Sequence, residues 1–406
     1  FIIDASKGFM KDGNKNRLRE RDIHKIVDVF RNMEEIPGYS RFVSNEEIEE
    51  NDYNLNIPRY IDSQEKEDIQ DIRAHLYGGI PNRDIDELEK YWTAYPSLKD
   101  ELFSPAGMEG YSKLNVEIDH IKSTIFNNKE FIEYSNMIKN ILNGWSNKHI
   151  PLLRTIDKET KPKELIHQIS EDLLDRFKDS LLIDKYDVYQ YLMDYWLETM
   201  RDDVYMIIEE GWAANGELIP KELMIDKFFN EEKNELEKLE MEREEAQREK
   251  EEFEEENTGE DGVLEELKND KGNITKTNLN KRIREIKKDE AYEDELEILE
   301  KYLDLINKES DLKKQIKEKE KSLEKKVEKK YKELSIDEIK DIVVNDKWIR
   351  SITGVITTEM DRISHRLTTR IKELAERYKE TLPEIERKVE ELSKKVDMHL
   401  KRILEY

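Results

Sequence analysis

The sequence predicts a mainly α protein. A short α/β segment at the N-terminus is followed by a helical domain, a charged long-helix arm, and C-terminal amphipathic or coiled-coil helices. Three observations carry this. Apolar residues recur at helical spacing over most of the chain, and a strand-like run opens it. Of 406 residues, 41 % are charged and 36 % hydrophobic, a balance suited to solvated helices around a lean core. The formal net charge of −26 is uneven: residues 231–270 hold 19 acids against 6 bases, half of the whole excess.

Taken in order, Phe1–Ala5 is a short apolar run that suits the end of a buried strand. Over Arg19–Phe30, residues Ile23, Ile26, Val27 and Phe30 fall at i, i+3, i+4 and i+7, one helical face, and Pro37-Gly38 stops the helix. Ser44 caps a second short helix, with Glu47 completing a capping box. In "ENDYNLNIPRYID", residues 50–62, Asn51, Asp52, Asn54 and Pro58 argue for a loop that ends in a short extended "IPRYID". Residues 64–103 read as helices, with Asn82 or Asp84 as a cap and Ile85 and Leu88 pointing inward. Residues 104–150 bring the aromatics Tyr111, Phe126, Phe131, Tyr134 and Trp145. Over 162–230 a bundle-like core is expected from Leu173, Phe177, Leu181, Tyr189, Leu192, Trp196, Val204, Tyr205 and Ile207.

Residues 228–260 are nearly all Glu, Lys and Arg, and Gly259, Gly262 and Gly272 interrupt the run. Leu312, Ile316, Leu323 and Val327 then approach a heptad, so 230–258 is expected to run antiparallel to 285–332. Ser335 and Glu338 form a further capping box. Beyond it, Ile356, Met360, Ile363, Leu367, Ile371, Leu374 and Tyr378 follow a 4-3-4-4-3-4 spacing. Thr381 and Glu384 start another helix, in which Leu382, Ile385, Val389, Leu392, Val396, His399 and Ile403 keep a 3-4-3-4-3-4 repeat. The implied boundaries are 1–62, 63–227, 228–334 and 335–406.

With no cysteine, disulfides, cysteine-ligated zinc and thiol catalysis are excluded. The seven histidines are scattered, with no HExxH, and no metal site is expected. No run approaches 18 apolar residues and no signal peptide is present, so a soluble cytoplasmic protein without membrane contact is expected. The opening "GFMKDGNK" has the glycine spacing of a phosphate loop, but Asn14 stands where the lysine must be. The same stretch is basic. Lys11, Lys15, Asn16, Arg17 and Arg19 suit phosphate contact without base reading, and a solvated loop accounts for them equally. Arg59 suits a phosphate or a guanine edge, and Tyr60 a stack on an unstacked base. The competing reading is an Asx-rich turn that satisfies its own backbone. No carboxylate sits in a catalytic frame with His or Lys. The glycine-rich turn for an adenosyl cofactor is absent. So is the [ND]PP[YF] tetrapeptide of amino methyltransferases, since none of the nine prolines are adjacent. No catalytic or cofactor-binding residue is therefore assigned. The two C-terminal stripes must be buried somewhere. Either they form an internal bundle, or they dock a partner's long helices, with flanking charges such as Arg366 and Arg387 orienting the contact.

The stretches "FIIDASKGFMKDGNKNRLRERDIHKIVDVF" and "EIPGYSRFVSNEEIEENDYNLNIPRYID" resemble the modification subunit of type I restriction–modification systems, an N6-adenine DNA methyltransferase family that uses S-adenosylmethionine. The end, from "DKWIRSITGV" to "KKVDMHL", resembles the same family's C-terminal helices. The resemblance implies that 1–62 is the C-terminal edge of a methyltransferase domain with its exit segment. It implies that 335–406 joins the DNA-reading specificity subunit, with DNA in the complex and a restriction subunit able to join. It also implies that the parent transfers a methyl group to adenine after base flipping. The family's cofactor and Asn-Pro-Pro-aromatic motifs would precede Phe1, so S-adenosylmethionine belongs to the complete parent and this fragment alone is expected to be inactive. A stand-alone coiled-coil structural or scaffolding protein is the alternative, and a hidden nuclease a third.

Overall fold

An N-terminal α/β stretch leads into a long, mostly helical region. The computed structural model describes residues 1–63, 68–259, 262–269 and 272–404, so the first residues of the expected 64–103 helices, 64–67, lie outside the described residues. The chain divides into two compact units, 1–211 with 344–406, and 212–343. This differs from the four segments read from sequence: the tail shares a unit with the N-terminal half.

In the first unit, β1 (Ile2–Ile3) pairs antiparallel with β4 (Ser40–Arg41), and β2 (Met10–Asp12) with β3 (Lys15–Arg17). Asp12 lies opposite Lys15, which leaves a two-residue turn. Gly13 supplies its first corner at φ +59°, a left-handed conformation that a side chain would oppose. Helix Glu20–Asn32 follows. Its buried residues are Asp22 and Val29, while Ile23, Val27 and Phe30 face solvent, so much of the predicted apolar face has no cover in this chain. "IPRYID" is not extended. Ile57–Arg59 is a 3-10 turn, since Pro58 fixes φ near helical values inside it. Neither Asn82 nor Asp84 caps a helix: Asn82 accepts from Ser112 Oγ at 2.7 Å, and buried Asp84 takes the Tyr378 hydroxyl at 3.2 Å. Between the helices sits an antiparallel sheet in the order β5 (Ile80–Pro81), β7 (Tyr111–Leu114), β6 (Phe103–Pro105).

Helix Lys129–Leu153 begins where the Asn128 side chain accepts from the Glu130 and Phe131 amides. Phe131, Tyr134, Ile138, Leu142, Trp145, His149 and Leu153 are its buried face, at spacings of three and four. Trp145 is fully buried and donates its indole N–H to the Ile169 carbonyl at 3.0 Å. Asp172, on helix Pro162–Arg176, gathers Lys148, His149 and Arg176 at 2.5–2.8 Å. Burial works against its charge, but these donors outweigh burial and bring its pKa down to about 2. Leu181 and Tyr205, expected inside, are exposed.

Two stretches of the chain are π-helical: Trp196–Met200 in this unit, and Ile342–Ile349, which starts at the end of the second unit and leads into helix Arg350–Arg377 of the first. π-turns re-aim side chains and recur at functional sites. Here the result is a buried cluster in which Asp203 accepts from Lys347 Nζ at 2.8 Å and from the Trp348 indole at 2.8 Å. Burial pushes the Asp203 carboxyl up, and its two donors resist that.

The second unit contains the expected arm. Helices Asn230–Glu256 and Glu293–Glu333 run antiparallel, with Glu232 on Lys326 at 2.8 Å and Glu249 on Lys308 at 3.0 Å, while Glu235 pairs with Lys319. Leu312, Ile316, Leu323 and Val327 are buried along it. The Ser335–Glu338 capping box is reciprocal, as predicted. Beyond Glu256 the chain folds into a cap with its own core of Leu264, Leu279, Ile283, Ile286, Leu299 and Tyr302.

Candidate functional site

The predicted basic residues fall in two places. Lys11, Lys15, Asn16 and Arg17 are exposed on the β2–β3 hairpin. Alternation puts Lys15 and Arg17 on one face and Lys11 with Asn16 on the other. Lys11 Nζ donates to Asn16 Oδ1 at 2.8 Å, and Arg17 lies 3.4 Å from Asp12. Arg19 sits instead at the head of helix Glu20–Asn32. Its guanidinium grips Asp22 through two bonds of 2.8 and 3.0 Å, and its backbone N–H donates to the same carboxylate at 2.9 Å. Burial opposes the Asp22 charge, yet the Arg19 donors keep that carboxyl below its ordinary range.

Arg19 and Asp22 line a cavity of about 350 Å³ that sequence reasoning missed. Asp4, Lys7, Arg21, Lys25, Tyr39, Asp184, Tyr186 and Asp187 share its wall. Its cations are matched by carboxylates: Arg21 pairs with Asp187, and Lys25 lies 4.3 Å over the Tyr39 ring. Hydrogen bonds from Ser6 hold the Asp4 carboxyl low, while burial pushes the Tyr39 phenol up. Four cations against four carboxylates give no net preference for an anion. No group of three His, Asp or Glu suited to a metal occurs among the described residues. Only the Asp22 part was readable locally, as an acid three residues after a helix cap. Asp184 to Asp187 come from more than 140 positions away in sequence.

In segment 50–62 only Tyr60 and Ile61 are buried, while Tyr53, Leu55 and Arg59 are exposed. Tyr60 is buried, and its hydroxyl donates to the Asn54 carbonyl at 2.7 Å, so the expectation that it stacks on a base is corrected. Asn54 Oδ1 accepts from the Asn56 amide at 3.0 Å, and Asn51 Nδ2 donates to the Glu47 carbonyl at 2.8 Å. Arg41 ties the segment back, bonding the Tyr60 carbonyl at 3.1 Å and Glu47 at 2.6 Å. That engagement takes Glu47 away from the predicted capping box, of which the Ser44 half stands. Arg59 stays exposed, 3.4 Å from Asn51 Oδ1.

The C-terminal stripes separate. Ile356, Met360, Ile363, Leu367, Ile371 and Leu374 are each at most 2 % exposed within this chain's first unit. As partner-docking residues these six are corrected, because the chain's own core covers them. The stripe of helix Leu382–Leu404 faces solvent: Leu382, Ile385, Val389, Leu392, Val396 and Ile403 are 42–70 % exposed. Its start is anchored by the Thr381 amide and hydroxyl on Glu384 at 2.9 and 3.0 Å. No helix among the described residues is long and apolar enough to cross a membrane.

Comparison with known proteins bears on a minor part of the chain. A family model described as N-6 DNA Methylase matches residues 1–69. The chain is 51 % identical over 79 residues to the type I restriction enzyme MjaVII methylase subunit of Methanocaldococcus jannaschii, 18 % of this chain and 14 % of that protein. It is 32 % identical over 88 residues to the MpnII methylase subunit of Mycoplasma pneumoniae, 22 % of this chain and 15 % of the relative. To the MjaVIII methylase subunit of M. jannaschii it is 30 % identical over 93 residues, 22 % and 16 %. The matched stretch thus spans 14–16 % of these relatives' lengths, a family-level similarity to type I methylase subunits over a minor part of the chain. No solved structure matches.

Proposed function

We propose that this chain is part of a type I restriction–modification methylase subunit and serves its assembly. In this reading helix Leu382–Leu404 seats on long helices of the specificity subunit, and segment 1–62 closes the methylase domain beside DNA. One observation carries it. Six Leu, Ile and Val residues, with His399 filling the one gap in their 3–4 alternation, lie open to solvent on a helix whose flanks up to Val396 are mostly Lys, Arg and Glu. So narrow a stripe has the width of a coiled-coil seam and calls for a helical partner. The family similarity at residues 1–69 supplies the partner's class. The uncovered Ile23, Val27 and Phe30 lie within that same match, and suit burial against further methylase-domain polypeptide.

The parent's cofactor would be S-adenosylmethionine, and the residues present do not fit it. The cavity's arginines are engaged with Asp22 and Asp187, and neither cofactor motif stands in the sequence. No methyl-transfer step is assigned to this chain.

The test is capture of the full chain by a tagged type I specificity subunit. Capture should occur with the unaltered chain and fall at least tenfold with Val389→Lys and Leu392→Lys combined. Undiminished capture would overturn the reading. Sedimentation showing a homodimer through the same stripe, indifferent to the specificity subunit, would favour the coiled-coil scaffold instead.

A further inference from the structure

The arm's charges are distributed against the trend of the chain. Along its shaft they satisfy each other: Glu232 with Lys326, Glu249 with Lys308, and Lys250 with buried Glu309 at 2.6 Å. The 27 residues of helix Asn230–Glu256 carry the contact about 40 Å from the arm's base at 1.5 Å per residue. At that end one segment reverses the sign, between acids at Glu265, Glu266 and Asp270 before it and Asp289, Glu290 and Glu293–Glu295 after it. Residues 272–288, "GNITKTNLNKRIREIKK", hold six bases and one acid in a chain of net charge −26.

The cap's core fixes which way these residues point. Helix Lys276–Ile286 buries Leu279, Ile283 and Ile286, and so turns Thr277, Asn278, Lys281 and Arg284 to solvent. Arg282 is engaged internally, with two bonds of 2.6 and 3.0 Å to Glu295. Lys281 lies 4.0 Å from Glu285, and Lys287 3.8 Å from Glu300. Arg284 and Lys288 have no acidic partner among the described residues. Cations near a helix C-terminus are favoured by the backbone dipole, which accounts for one or two of them but not for five excess charges.

We propose that this cap is a docking surface for the phosphate backbone of duplex DNA. Thr277, Lys281 and Arg284 follow one another at steps of four and three, so hydroxyl, ammonium and guanidinium donors line one face of the helix, and Lys288 is exposed two residues beyond its end. Donors without apolar anchors are what phosphate contact requires, and a guanidinium engages phosphate through two bonds at once. A membrane surface is disfavoured because the helix's apolar side is already buried in the cap. The acidic shaft repels the same polyanion and confines contact to the tip. This inference rests on the proposal that the chain works in a DNA-bound complex, and it adds a contact carried by the second unit rather than by the β2–β3 hairpin.

The test is fluorescence anisotropy of the full chain with a duplex of about 24 base pairs, between about 50 and 200 mM salt. The variant combines Lys281→Ala, Arg284→Ala and Lys288→Ala, and circular dichroism verifies its helix content. At low salt its affinity should drop about tenfold or more. The slope of log K against log salt should shrink by about 3, near 0.9 for each lost phosphate contact. A Lys281→Arg, Arg284→Lys variant should keep most of the binding. No binding by the unaltered chain, equal binding by the triple variant, or equally strong competition by polyglutamate would each overturn the assignment. Specificity-subunit capture is measured on the same proteins and should be unchanged in the triple variant. Loss of capture in the stripe variants with DNA binding intact, or the reverse, separates the two proposals.

Discussion

Helices Arg350–Arg377 and Leu382–Leu404 are neighbours in sequence, 28 and 23 residues long, with apolar residues at nearly the same spacing. The first buries its stripe inside the chain's own unit, and the second leaves its stripe in solvent. The difference lies beside the stripe. On the first helix the adjacent pairs Glu359–Met360, Ile363–Ser364 and Leu367–Thr368 are all buried, an arc well wider than a seam because neighbours stand 100° apart. Small hydroxyls make that width tolerable: Ser364 donates to the Met360 carbonyl at 2.9 Å and Thr368 to the Ser364 carbonyl at 2.8 Å. On the second helix, from Ile385 to Val396, the residues between stripe positions are Glu386, Arg387, Lys388, Glu390, Glu391, Ser393, Lys394 and Lys395, which keep the arc narrow there, and Met398 and Leu400 broaden it only in the last turns. Spacing says that a stripe must be covered. Its width says by what: a core on several sides, or one partner helix.

The comparison breaks most directly at Leu367, which is fully buried. Leu367→Ala should cost about 2–5 kcal/mol, the transfer loss plus a cavity, read from urea unfolding. A loss below about 1 kcal/mol would place this stripe outside the core.

Glu359 sharpens the wide-arc side. Its carboxylate is buried and takes the Tyr191 hydroxyl and the Arg366 guanidinium, both at 2.8 Å. Burial works against the charge, but these donors outweigh it and hold the carboxyl below its ordinary 4.5. The folded chain therefore binds that proton more weakly than the unfolded chain. The stabilisation is complete above pH 4.5 and is lost as pH falls through the lowered folded value. Glu359→Gln should cost about 1 kcal/mol at pH 7, and the gap to the unaltered chain should close in acid. A gap constant with pH would show that the carboxylate's charge plays no part.

Much of the architecture was legible because helices write their period into the sequence. The arm's pairing followed from its heptad remnants, and the Ser335–Glu338 cap from a four-residue pattern. Strands of two to four residues are too short for alternation to register, which is why the β2–β3 hairpin and the β5–β7–β6 sheet were not foreseen. Some candidate contact residues are engaged within the chain, where a local or remote partner claims the side chain. Arg19 belongs to Asp22, three residues away and readable, whereas Tyr60 is fixed by a main-chain oxygen that no side-chain pattern announces. The Asp203–Lys347–Trp348 cluster joins residues more than 140 positions apart, beyond any spacing rule. Hairpin residues Lys11, Lys15 and Arg17 kept their exposure because a two-residue turn puts strand side chains on a sheet with no cover from a third strand.

The smallest expected effect is the most telling. Leu392 is 59 % exposed, so Leu392→Ala removes little buried surface from the free chain. Alanine is also the better helix former, which offsets part of the remaining loss. Unfolding should therefore shift by no more than about 0.5 kcal/mol, against severalfold more for Leu367→Ala. The same truncation should weaken capture by the specificity subunit, because its cost is felt only when a partner helix covers the site. A destabilisation of about 2 kcal/mol in the free chain would mean that the stripe is already covered by this chain or a second copy, and the distinction between wide and narrow arcs would lose its meaning.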